Sequence, residues 1–153
     1  MKMTREHINF TSIREDYNVY DLANGLKLRL KIPITTIHNE TIGNETKGNF
    51  GIQVVSAVEV PDEFDTSDLK LTDREVTDQD IVKELRITQR KEVVNIYETE
   101  KSFIVMAIHV NKISMTDKKI KDGSPALRFN YDTAVTSYLK PDWEKIPQKT
   151  PEK

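Results

Sequence analysis

The chain has 153 residues, a formal net charge of −2 and no cysteine. That length supports one ordinary domain with a sizeable core, and the lack of cysteine excludes a disulfide framework, a thiolate zinc site and a cysteine nucleophile. Near-neutral charge excludes bulk attraction to nucleic acid or to a membrane surface.

Residues 1–7 lack the apolar centre of a signal peptide, and the longest apolar run, 103–108, is too short to cross a bilayer. The expected location is therefore the cytoplasm, with no membrane partner. Charge is unevenly spread: residues 61–82 carry eight acidic and two basic groups, whereas 83–153 carry ten and fourteen. The acidic stretch reads as a solvated loop over 61–80.

Residues 1–14 show no sustained period and read as a loosely ordered leader or a first edge strand. A single β domain is expected over 15–140. Its clearest signal is Asn24-Gly25 between 17–22 and the alternating run Leu26, Lys27, Leu28, Arg29, Leu30, Lys31, Ile32. A two-residue loop would set Asp21 on the apolar side. A three-residue Ala23-Asn24-Gly25 loop instead sets Tyr20 opposite Leu28 and Asp21 opposite Lys27, with Gly25 in the left-handed position that closes such hairpins. We prefer the second register because it buries no carboxylate.

The apolar period then slips by one residue near Thr35-Thr36, which suggests a bulge. Pro33 cannot donate to a ladder, so it marks an edge strand or a change of pairing partner. Residues 39–49 read as a long polar loop and 50–60 as a third strand rich in Val and Ile. Further on, Thr77-Asp78-Gln79-Asp80 followed by Ile81, Val82 and Leu85 predicts a short helix over about 78–86, with a strand as the alternative.

Residues 92–98 are again β-like, 98–101 form a turn, and 102–116 is the longest strand predicted. Phe103, Ile104, Val105, Met106, Ala107 and Ile108 are apolar at both parities, which predicts a central strand covered on both faces. Asp122-Gly123-Ser124-Pro125 is a turn, 126–131 and 133–138 are a final strand or strand pair, and 141–153, with three prolines, is a disordered charged tail. The fold class expected is mainly β: a single small antiparallel barrel or sandwich with at most one short helix.

No catalytic motif, phosphate loop or dinucleotide fingerprint is present. The triplets at Asn9, Asn39 and Asn44 fit loop chemistry rather than glycosylation. His38, His109 and Glu98 could meet at a metal in a cupin-like barrel, but the chain has no His-x-His pair with a following carboxylate. His109 reads instead as a hydrogen-bonded core or rim histidine. Asp62, Glu63, Asp65 and Asp68 have few apolar neighbours that could raise a carboxyl pKa, so they read as solvated acid. No cofactor is expected.

Two binding surfaces compete. Tyr17, Lys27, Arg29 and Lys31 share the outer face of the first hairpin, and a basic row beside a ring is what a single-stranded nucleic acid requires. The same row also suits a solvated, aggregation-resistant strand. Against it stand an edge strand, a mobile acidic segment and Trp143, which either anchors an interface or folds back onto the core. The reading favoured is a non-enzymatic binding or assembly module for a protein partner or for itself. A nucleic-acid-binding β-barrel is the alternative, and a metal-dependent β-barrel enzyme the second alternative.

Overall fold

The computed structural model describes residues 2–143. Thirteen strands and one short helix occur among them. The strands are β1 (Met3–Ile8), β2 (Thr11–Arg14), β3 (Asn18–Leu22), β4 (Lys27–Lys31), β5 (Ile34–Ile42), β6 (Glu45–Ile52) and β7 (Val55–Glu59) in the first half. The second half holds β8 (Lys70–Leu71), β9 (Ile81–Leu85), β10 (Ile87–Lys91), β11 (Val94–Glu98), β12 (Ser102–Lys119) and β13 (Pro125–Leu139), closed by α1 (Lys140–Trp143). They form three sheets, ordered β1-β5-β6, β10-β3-β4-β7 and β13-β12-β11-β2, with β9 and the short parallel β8 also paired to β12. The fold is mainly β and sandwich-like, without a closed barrel among the described residues. No helix among those residues is long and apolar enough to cross a membrane.

The first hairpin adopts the three-residue loop. Tyr20 pairs with Leu28 and Asp21 with Lys27, Leu22 N–H donates to Leu26 O at 2.9 Å, and Gly25 sits at φ 92°, where a side chain would be strained. Alternation then does its work. Tyr20, Leu22, Leu28 and Leu30 are buried against Ile104, Met106, Ile108 and Val110 of β12, so the two larger sheets face each other across the core.

Pro33 lies where the chain leaves one sheet for another: β4 pairs with β3 and β7, and β5 pairs with β1 and β6. Of the two roles open to that proline, it therefore marks a change of partner, and β4 is internal. The slip beside it is a bulge between Ile34 and Thr36 in the β5–β6 ladder. Gly51 fits there because a Cβ would lie 2.3 Å from Thr36 Oγ1.

Several expectations change. Residues 39–49, expected as a loop, continue β5 and β6 as a paired hairpin turning at Gly43, φ 64°. The hairpin projects beyond the core, so both its faces are polar and carry no period. The expected third strand over 50–60 is divided at Gln53, whose N–H donates to Pro33 O, into the end of β6 and β7. Residues 3–14, read as a leader or an edge strand, form the edge strands β1 and β2, paired to β5 and β11. The helix over 78–86 shrinks to one 3-10 turn, Asp78–Asp80. The β-branched residues Ile81 and Val82 that follow belong to β9, which pairs with β12.

Strand β12 is central, as expected, with neighbours on both sides, but its two faces differ. Ile104, Met106, Ile108 and Val110 are buried, whereas Phe103, Val105 and Ala107 are half-buried and His109 is exposed. The outward residues are apolar because they pack sideways within the sheet, Ala107 opposite Val94 and Val105 opposite Ile96. Residues 141–143 of the expected tail belong to α1, and Trp143 stacks on Phe103 at 4.7 Å and meets Tyr138 edge-on at 5.7 Å. Trp143 thus folds back onto the outward face of β12 and β13 rather than onto the core. The rest of the tail lies outside the described residues.

Two buried asparagines lock loops that join no ladder. Asn18 Oδ1 accepts the Val93 N–H and Asn95 Oδ1 accepts the Asp16 N–H, each at 2.9 Å. Asn18 also donates to Ile108 O at 2.9 Å, tying β3 to β12 across the core.

Candidate functional site

The outer face of the first hairpin gathers the four residues expected there, but it is not a free cationic surface. Arg29 pairs with Glu59 of β7, Lys27 lies 3.6 Å from Asp21, and Lys31 Nζ sits 4.8 Å above the Tyr17 ring. Pairing with Arg29 holds the Glu59 carboxyl below its ordinary range, against the opposing effect of its desolvation. Two of the three cations thus have a carboxylate beside them, and the ring that would stack a base is covered by a lysine.

His38, His109 and Glu98 are not brought together. His38 Nε2 lies 3.5 Å from Glu40 on the small sheet, His109 Nδ1 lies 3.1 Å from Glu92, and Glu98 binds Lys140 at 2.7 Å. Glu98 stands opposite Phe103, six residues from His109, or about 20 Å along a strand. No group of three or more His, Asp or Glu that could hold a metal occurs among the described residues. Asp62, Glu63, Asp65 and Asp68 are exposed, and Asp65 is engaged by the Ser67 N–H at 2.9 Å.

The sequence reading missed Glu92. Its carboxylate accepts the Tyr20 O–H at 2.7 Å and lies within 3.3 Å of Arg90. Burial opposes its ionisation, but the hydrogen bonds from Tyr20 and His109, with the charge of Arg90, outweigh that and hold its pKa below the ordinary value. Burial and the same bond push the Tyr20 phenol above its ordinary range. Nothing polar at this cluster is poised as a nucleophile; it fastens β3 to β10 and β12.

The open feature of the molecule is the second half of β13. Its first half is covered: Pro125, Ala126 and Leu127 are buried, and Arg128 donates to Asp78 at 3.0 Å. From Asp132 to Ser137 every residue is exposed, and among the described residues β13 pairs with β12 alone. Lys140 N–H donates to Lys101 O at 3.0 Å, and the β12–β13 register runs unshifted from Ser102–Leu139 to Val110–Tyr131. In an antiparallel ladder, residues bonded to one neighbour alternate with residues turned away. Asp132, Ala134, Thr136 and Tyr138 therefore bond β12, while Thr133, Val135, Ser137 and Leu139 turn their N–H and C=O groups outward.

Proteins usually blunt such edges with charge, proline or brevity. The other sheet edges follow that rule: β10 carries Arg90 and Lys91, β1 carries Arg5, Glu6 and His7, β6 carries Lys47 and two glycines, β9 carries Lys83 and Glu84, β8 has two residues, β2 has four and β7 has five, closing on Glu59. Between Asp132 and Lys140, β13 reads Thr-Ala-Val-Thr-Ser-Tyr-Leu, with neither charge nor proline. Val135 and Leu139 are 38% and 59% exposed. Beside this edge Ser137 borders a cleft of about 660 Å³ lined by Ile8, Ile37, Phe50 and Ile104 together with polar residues that include Glu6, Asn39 and Lys101.

Among the described residues these features define a sandwich-like antiparallel β fold with an unprotected edge beside a cleft of mixed polar and apolar lining. No protein-family model, curated protein or solved structure matches the chain.

Proposed function

We propose that this protein is a non-enzymatic binding or assembly module that takes up an extended segment of a protein partner as a new strand along residues 133–139. The observation that carries the reading is that uncharged edge, unpaired among the described residues: its outward N–H and C=O groups supply main-chain affinity, and the pockets flanking alternate positions supply selectivity. A side chain placed opposite Ser137 would face the cleft, whose lining includes Phe50 and Ile104. The engaged cations of the first hairpin support the protein reading over the nucleic-acid one. The same proposal places the module in the cytoplasm.

The test is affinity capture from the native source with the whole chain and with its Val135→Pro variant, each with and without nuclease. Val135 turns its N–H away from β12, so proline there removes no bond of the fold. Capture that survives nuclease and is lost in the variant is the expected result. Capture that the variant retains, or that nuclease abolishes, overturns the proposal.

A further inference from the structure

The edge of β13 is self-complementary, and we infer that its occupant is the β13 of a second copy, joined antiparallel about a two-fold axis at Thr136. The inference rests on the strand-addition reading above and names its partner. Because outward groups belong to the odd-numbered residues, an incoming strand can slide only by whole pleats, in steps of two residues. With Thr136 opposite itself, no like charges meet and a Thr–Thr pair sits at the centre. Asp132 then faces Lys140 of the second copy, twice over by symmetry, and Ala134 faces Tyr138. On the other face Thr133 meets Leu139, and Val135 meets Ser137. Thr–Thr, opposite-charge and aromatic pairs are the contacts that stabilise antiparallel neighbours. Shifting the strand by one pleat keeps the main-chain bonds but removes both Asp132–Lys140 pairs.

The apolar exposure is met as well. Val135 and Leu139, exposed in the single chain, become diagonal neighbours of the second copy's Val135, and that residue stands over Ser137 at the mouth of the cleft. Asp132 and Lys140 each have a partner within their own chain, Asn111 at 3.0 Å and Glu98 at 2.7 Å. Glu98 lies on β11, beyond β12, so on association the Lys140 side chain exchanges Glu98 for the second copy's Asp132, while Asp132 keeps a further acceptor position for it. A two-fold contact of this kind closes on itself, so it yields a dimer rather than a filament. Six or seven residues of shared edge make a small interface, and the dimer is expected to dissociate in the micromolar range.

The absence of cysteine gives a direct readout of register. Thr136 opposite its own copy is a non-hydrogen-bonded pair, with Cα atoms about 4.5 Å apart, within reach of a disulfide. Thr136→Cys should oxidise to a covalent dimer, whereas Thr133→Cys, roughly 20 Å from its counterpart, should not. In sedimentation velocity across about 1 to 300 µM, the unmodified chain should move from monomer to dimer. Thr136→Lys and Thr136→Glu should each weaken association at least about tenfold, and an equimolar mixture should restore it. Because Thr136 is exposed, both variants should keep the circular dichroism of the parent. A chain that stays monomeric, a dimer indifferent to Thr136→Lys, or equal oxidation of both cysteine variants overturns the inference. A monomer that still captures a protein through Val135 overturns the second copy while leaving the strand-addition reading intact.

Discussion

Glu92 is a residue whose ionisation the fold favours. Its contribution to stability is therefore complete above the ordinary glutamate value of 4.5 and declines as the pH falls below it through the lowered folded value. Tyr20 and Tyr97 behave in the opposite sense, because their phenols are raised above 10.0 and favour the protonated form. Their contribution is complete below pH 10 and is lost above it. Glu92→Gln should therefore shallow the acid limb of a stability-against-pH curve measured by urea unfolding, and parallel acid limbs would contradict the assignment. The residue itself was not legible in the sequence, since its partners Tyr20, Arg90 and His109 converge from three different strands.

At the scale of the element, β12 shows what a pattern can and cannot carry. Its length and central place follow from an apolar run that no edge strand would hold. The two-sided cover expected of it does not, because lateral packing within a sheet asks for the same residues as packing between sheets. Ile108→Ala should cost about 2 to 5 kcal/mol, as buried large-to-small changes do, while Lys27→Ala, a half-exposed residue 3.6 Å from Asp21, should stay within about 0.5 kcal/mol. Equal losses in denaturant titrations would mean that the core lies elsewhere. The first hairpin was readable to the residue because turn chemistry and burial agree there. The β5–β6 arm and β1 were not, since strands exposed on both faces carry no period. Ile81–Leu85 was ambiguous because its acidic start is a genuine helical turn and only pairing with β12 makes the rest a strand.

For the whole molecule, strand order decides which edges are open, and strand order is the part a local pattern does not contain. Residues 126–138 were readable as strand; that β13 ends its sheet, with no second neighbour among the described residues, was not. The same limit applies to the basic row, whose companion Glu59 comes from a strand distant in sequence. Oligonucleotide binding at moderate salt should accordingly be absent by fluorescence anisotropy. A micromolar complex that weakens with salt by about 0.7 log units per contact, and vanishes when Lys27, Arg29 and Lys31 become Ser, would restore the nucleic-acid reading.

The paired asparagines also bear on how the sandwich opens. Asp16 and Val93 lie outside every strand, where amide protons ordinarily exchange with solvent in a brief local fluctuation. Each instead donates to an asparagine about 1% exposed, so exchange requires the loop to leave a buried acceptor. In deuterium these two amides should exchange far more slowly than those of the other loops, and exchange as fast as theirs would show that the asparagines do not hold the chain there.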